Sequence, residues 1–204
     1  MELINVIYLL RRDLILQKRL LWLYIPFILI FVYSLSSPSL IYTLAALYIP
    51  YNALAYDEQV NSDKLLNSLP YTRLEITLYR YLGTLVYTFV SVILVSLILV
   101  LFNKSFSLLD IVIGISFFLI IAAFTYPLFQ IFKQGNIATI IIVAFVLSVG
   151  LLSTFSEQMI EFGNLFLNSS VSNALLFSAL LLSVLVIYFG SWVLTYSIYK
   201  NKDF

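Results

Sequence analysis

The 204-residue sequence predicts an all-α integral membrane protein of six transmembrane helices, preceded by an N-terminal amphipathic interfacial helix. Three observations lead there. Hydrophobic side chains make up 62% of the chain and charged ones 10%, where soluble domains carry about 25% charged residues. The charges cluster, leaving residues 20–56, 81–103, 111–132, 134–156 and 162–199 without any. Finally, the basic residues fall almost wholly on one side when those stretches are read as alternating crossings. Mean hydropathy is +1.04.

Within residues 1–19, Leu3, Ile4, Ile7, Leu10 and Leu14 recur at helical spacing, while Arg11, Arg12, Lys18 and Arg19 supply a basic surface. That pattern suits a helix lying in the membrane interface. A simpler reading stays open, in which the basic residues only flank and anchor the first span. The stretch does not read as a cleaved signal peptide, because its apolar run follows the basic residues, continues too long and lacks a small-residue cleavage site.

A bilayer core takes about 20 apolar residues per helix, so residues 20–56 must divide. Ser36-Ser37-Pro38 is the natural break, since serines favour turns and the residue before a proline avoids helical geometry. Spans at 20–35 and 39–55 follow, with Pro26 and Pro50 expected to kink them. Further spans are expected at 81–102, 111–131, 137–155 and 174–197. Residues 156–173 read as an amphipathic helix or a re-entrant dip. With this layout, ten basic residues lie on one side and only Lys104 on the other. The positive-inside rule then places both termini in the cytoplasm, making residues 20–204 one transmembrane domain.

Residues 57–80 form the one substantial polar segment, with seven of the 21 charges: Asp57, Glu58, Asp63, Lys64, Arg73, Glu75 and Arg80. Leu65, Leu66 and Leu69 are expected on one face of a short helix that Pro70 ends. Thr72 is an expected N-cap, with Glu75 at the capping-box position.

Several chemistries lack their residues. With no cysteine or histidine, disulfides, thiol chemistry and the commonest zinc ligands are absent. The near-neutral balance of 11 basic and 10 acidic residues gives no reason to invoke nucleic acid. No ionisable side chain falls inside the expected spans, so a proton relay has no evident stations there. Sodium coupling through backbone carbonyls stays possible. No Gly-Lys pair exists, so the phosphate-cradling loop of ATPases is missing. A chain without its own energy source and with one polar segment suggests a partner docking at residues 57–80. A loop that only connects two spans is the alternative.

The run from Asp57-Glu58 through Asp63-Lys64-Leu65-Leu66-Asn67-Ser68-Leu69-Pro70-Tyr71-Thr72-Arg73-Leu74-Glu75 to Arg80-Tyr81 resembles the first cytoplasmic loop of type-2 ABC transporter permeases. Glu58, Lys64, Ser68, Leu69, Pro70, Arg73, Arg80 and Tyr81 match that pattern. Departures are Tyr71-Thr72, where a small aliphatic residue and serine are more usual, and Arg80 in place of lysine.

The resemblance implies a permease subunit forming half of an exporter's translocation pathway, with no cofactor or enzymatic activity of its own. ATP would be bound and hydrolysed by separate ABC ATPase subunits on the cytoplasmic face. A second permease copy, or a related permease, would complete the pathway. Residues 1–19 would be the elbow helix, and 156–173 the extracellular helical segment. The coupling helix of the 57–80 segment would carry Asp57, Glu58, Asp63, Lys64, Leu65, Leu66, Leu69, Pro70 and Arg73 as the ATPase-coupling residues. Small permeases of this kind include exporters of antimicrobial peptides and antibiotic-resistance exporters in bacterial plasma membranes. The 17 Phe, 15 Tyr and 2 Trp suit an amphipathic or lipophilic cargo such as a peptide, antibiotic or lipid-like molecule. Aromatics that merely sit at membrane interfaces are the plainer reading. A non-transporting scaffold or immunity-type protein that binds a cytoplasmic partner is the competing function.

Overall fold

A computed structural model describes residues 2–16, 18–35, 37–59, 65–66, 68–69, 71–131, 143, 146, 150 and 173–201. Six long helices run through them: α1 Glu2–Leu16, α2 Lys18–Ser34, α3 Pro38–Gln59, α4 Arg73–Leu101, α5 Leu108–Ile131 and α6 Asn173–Lys200. The segment expected at 156–173 lies, but for its last residue, outside the described residues, as does the span at 137–155 apart from three helical residues.

Each described helix end has a local cause. Helix α2 stops at Ser34 and α3 begins on Pro38, a residue suited to the first helical turn, where an amide has no intrahelical acceptor. Helix α4 opens with a complete capping box: the Thr72 hydroxyl accepts from the Glu75 amide, and the Glu75 carboxylate accepts from the Thr72 amide. It closes with Asn103 in the left-handed region (φ 52°). There the Lys104 amide reaches Leu99 O at 3.0 Å and the Asn103 amide reaches Val100 O at 3.1 Å, the Schellman pattern. Helix α5 starts on a second reciprocal cap, with Asp110 Oδ2 accepting from the Ser107 amide at 2.9 Å. The Lys104 ammonium donates to Val32 O and Leu35 O at the end of α2. Lys104 therefore closes a helix C-terminus, where a cation is favoured.

Among the described residues, three helical stretches are long and apolar enough to cross a membrane: Arg73–Leu101, Leu108–Ile131 and Ser178–Lys200. Trp22–Ser34 is a shorter apolar helix. Helix α3 is not among the three, although its 22 residues would reach about 33 Å. Its surroundings explain this. Residues 39–47 of α3 are all buried, and the helix packs against α2, α4 and α5. A helix walled by protein can carry Ser39, Thr43 and Asn52 that a lipid-facing one could not.

Close approach and hydroxyl bridges hold the bundle. A Cβ at Gly114 of α5 would stand 2.6 Å from Tyr42 Cβ and 2.9 Å from Ser39 O of α3. At that crossing the Thr43 hydroxyl donates to Gly114 O at 3.1 Å. Small residues let membrane helices approach in this way. Nearer α6, the Tyr81 hydroxyl bonds Ser191 at 2.9 Å and Thr195 at 2.7 Å. Tyr188 donates to Tyr81 O at 3.1 Å, Ser191 donates to Ala123 O, and Thr84 pairs with Tyr126. Tyr81 meets Ser191 and Arg73 meets Lys200 O, so α4 and α6 are antiparallel. Helix α3 is antiparallel to α4, by Tyr42–Ser96 and Asp57–Arg80, and parallel to α5, by Thr43–Gly114 and Tyr51–Thr125, so α5 and α6 run in the same direction.

Nine of the 15 tyrosines are buried, namely Tyr24, Tyr42, Tyr51, Tyr79, Tyr81, Tyr87, Tyr126, Tyr188 and Tyr199. They are buried between helices of this one chain. The reason is chemical: a tyrosine fills a helix interface with its ring and satisfies its hydroxyl on the neighbouring helix.

Candidate functional site

One end of the bundle, termed the base, collects α1, the C-terminal ends of α3 and α6, residues 65–72 and the start of α4. Two carboxylates and two guanidinium groups meet there. Asp57, in the last turns of α3, accepts from Arg12 Nη2 of α1 at 2.7 Å and from Arg80 Nη2 of α4 at 3.3 Å. Its Oδ2 also accepts from the Tyr79 hydroxyl at 3.3 Å. Arg12 Nε lies 3.4 Å from Asp13 Oδ1. Asp57 thus bonds three groups on two other helices while itself buried. A carboxylate so placed needs several donors to offset its desolvation.

Beside this joint is an apolar seat. Leu66, 2% exposed, packs into a cluster with Val6 and Leu9 of α1, Ile76 and Tyr79 of α4, and Tyr199 of α6. Leu10 lies against the same cluster, and its Cδ2 would be only 2.7 Å from a Cβ at Gly83. Glycine there lets α1 lie directly on α4. Arg73 donates to Tyr199 O and Lys200 O, joining the first residue of α4 to the last turn of α6.

The sequence-derived residues therefore separate by direction. Leu65 and Leu69 are 55% and 50% exposed, while Leu66 is buried. This corrects the expectation that all three share one face. In a helical turn, positions i and i+4 align and i+1 is rotated by about 100°, so Leu66 seats the turn and leaves its neighbours outside. Ser68 Oγ donates to Leu65 O at 2.7 Å, and the Leu69 amide to Leu66 O at 3.3 Å, tightening that turn. Asp57 and Arg73 face inward and bond within the chain. Glu58 lies in the last turn of α3. Asp63, Lys64 and Pro70 lie outside the described residues.

Arg12, expected on the basic surface of residues 1–19, instead turns inward to Asp57. Sequence reasoning did not single out Asp13, Tyr79 or the hydroxyl bridges. The one available signal was Asp13, a lone acid inside a basic stretch. Among the described residues, no group of histidine, cysteine or carboxylate side chains could hold a metal ion.

Long apolar helices, inter-helix hydroxyl bonds and charge gathered at one end define a multi-pass helical membrane protein. More narrowly, residues 8–200 match the family described as ABC-2 family transporter protein, and the chain belongs to that family. It is thus the membrane permease of an ABC transporter, a transport subunit of a class that works with ABC ATPases in the membrane. No curated protein and no solved structure matches it significantly.

Proposed function

We propose that this chain forms half of the translocation pathway of an ABC exporter, and that the turn at residues 65–69 is where a separate ATPase subunit docks. The supporting observation is the division of the leucines. Leu66 is locked into α1, α4 and α6, while Leu65 and Leu69 project outward beside it. An exposed apolar pair on a turn fixed to three helices suits insertion into a partner's cleft. A displacement of that turn would act directly on α1, α4 and α6. Asp57 and Arg73 serve such coupling from inside, by fixing the turn's supports. Glu58, Asp63, Lys64 and Pro70 are assigned to the same segment on the family resemblance.

The base is read as cytoplasmic, with both termini there, and α1 as the elbow helix in the interface. Exposed Ile7, Tyr8 and Ile15 alongside exposed Arg11 support that placement. The six-span reading gains support from α5 and α6 running parallel, because two parallel spans require a return between them. The second half of the pathway is supplied by another copy or a relative. Its cargo is amphipathic or lipophilic, a peptide, antibiotic or lipid-like molecule. The buried tyrosines do not carry this assignment, since they bond helices of one chain.

The test is co-purification of the full chain with its ABC ATPase and measurement of ATP turnover. Leu65→Glu with Leu69→Glu is expected to abolish association and stimulation while leaving the thermal midpoint unchanged, because both side chains are exposed. Unaltered stimulation in this variant would refute docking at the turn. Export activity with no ATPase partner at all would refute the wider reading.

A further inference from the structure

Asp13 is 7% exposed, yet its share of the charge joint is poor. Asp57 takes the terminal nitrogens of both guanidinium groups, at 2.7 and 3.3 Å. Asp13 has only the inner nitrogen of Arg12 at 3.4 Å. It lines a cavity of about 20 Å³ between α1, α3, α4 and α5, whose wall includes Asp57, Tyr79, Arg80, Thr84, Tyr87 and Tyr126. Helix α2 contributes no lining residue. The space suffices for one water. Tyr87 forms part of the wall; the residue is 6% exposed, and its buried hydroxyl has no hydrogen-bond partner among the described residues. A buried hydroxyl left without a partner keeps the full cost of its desolvation, so its position calls for a ligand in the cavity.

We propose that Asp13 is a proton-binding site: its carboxyl holds a proton in the closed joint and is bridged to the Tyr87 hydroxyl by one water in the cavity. The proton comes from solvent and returns to it when α1 lifts from α4. Burial, then the negative charge of Asp57, pushes Asp13 from its ordinary 3.8 up to about 7, while Arg12 and Arg80 oppose the rise. The raised value sets the sign. The stabilisation is fully present below the unfolded value and is lost as pH rises through about 7. The grip of α1 on the bundle thus weakens as pH rises toward about 7 and changes little beyond it, whether or not an ATPase docks at the adjoining turn.

The test uses the purified full chain in detergent, followed by infrared spectroscopy and thermal unfolding between about pH 5 and pH 9. A protonated-carboxyl stretch is expected at low pH, disappearing as pH passes about 7 and absent from Asp13→Asn. The wild-type thermal midpoint falls as pH rises from about 5 to about 7 and levels off above that, while that of Asp13→Asn stays flat throughout. Tyr87→Phe keeps the carboxyl but shifts the frequency of its stretch. A titrating band that survives Asp13→Asn, or a wild-type midpoint as flat as the variant's, overturns the proposal. Should Asp13→Asn fail to fold, Tyr87→Phe decides, because an unmoved band places the proton away from this hydroxyl.

Discussion

At the end of the bundle opposite the base, Lys104 donates to the last carbonyls of α2, and Asp110 accepts the Ser107 amide at the start of α5. Each charge there closes the terminus of one helix. At the base, Arg12, Asp57 and Arg80 join three helices, and Arg73 ties α4 to α6. The difference follows from what each end must do. A cap needs one charge beside a free helix end, and its loss frays a turn. A joint shares one buried acceptor among donors of several helices, and its loss strands those buried partners.

That contrast can be broken most severely at Asp57. Replacing it with alanine leaves Arg12 and Arg80 without their shared acceptor. Breaking a buried pair in this way costs about 3–5 kcal/mol. Thermal unfolding in detergent is expected to show a greater loss for Asp57→Ala than for a change at any helix cap or glycine crossing. Gly114→Val comes next, since its Cβ would meet Tyr42 Cβ at 2.6 Å and the Ser39 carbonyl at 2.9 Å. Overpacking of this kind costs about 1–3 kcal/mol. Gly190→Ala is the control: nothing lies within 4 Å of an added Cβ, so the same assay should register no loss.

At the opposite end, Ser107→Ala removes the hydroxyl that accepts from the Asp110 amide at 3.3 Å, at a cost of about 1 kcal/mol. Its effect should appear as faster hydrogen exchange limited to the first turn of α5, with slow exchange preserved in α4 and α6. Exchange accelerated across those helices would erase the distinction between cap and joint. The control aside, the smallest effect belongs to Tyr81→Phe, which gives up the bonds to Ser191 and Thr195. Inter-helix bonds of this type average about 0.6 kcal/mol in membrane proteins, so the midpoint should shift only slightly.

Much of the secondary structure was legible because its causes are local. Charge-free runs mark apolar helices, Ser36-Ser37-Pro38 marks the gap between α2 and α3, and Thr72 with Glu75 marks the start of α4. Each signal lies within one helical turn or is a simple count along the chain. The candidate site was legible as a segment and illegible in its directions. Periodicity grouped Leu65, Leu66 and Leu69, but which of them faces inward depends on where α1 and α6 lie. Asp57 read as one of the ATPase-coupling residues, whereas its partners within the chain come from helices 45 and 23 residues away in sequence.

By itself, then, the sequence determined that this chain lives in a membrane, where its helices begin and which chemistries it lacks. Hydrophobicity and helix capping act over distances that sequence order reports directly. The tertiary structure alone decided that α3 is walled by protein, that tyrosines bridge helices within one chain, and that Asp57 and Arg80 turn inward while Leu65 and Leu69 are exposed. Those outcomes depend on which surfaces meet, and packing brings together residues that chain order keeps apart.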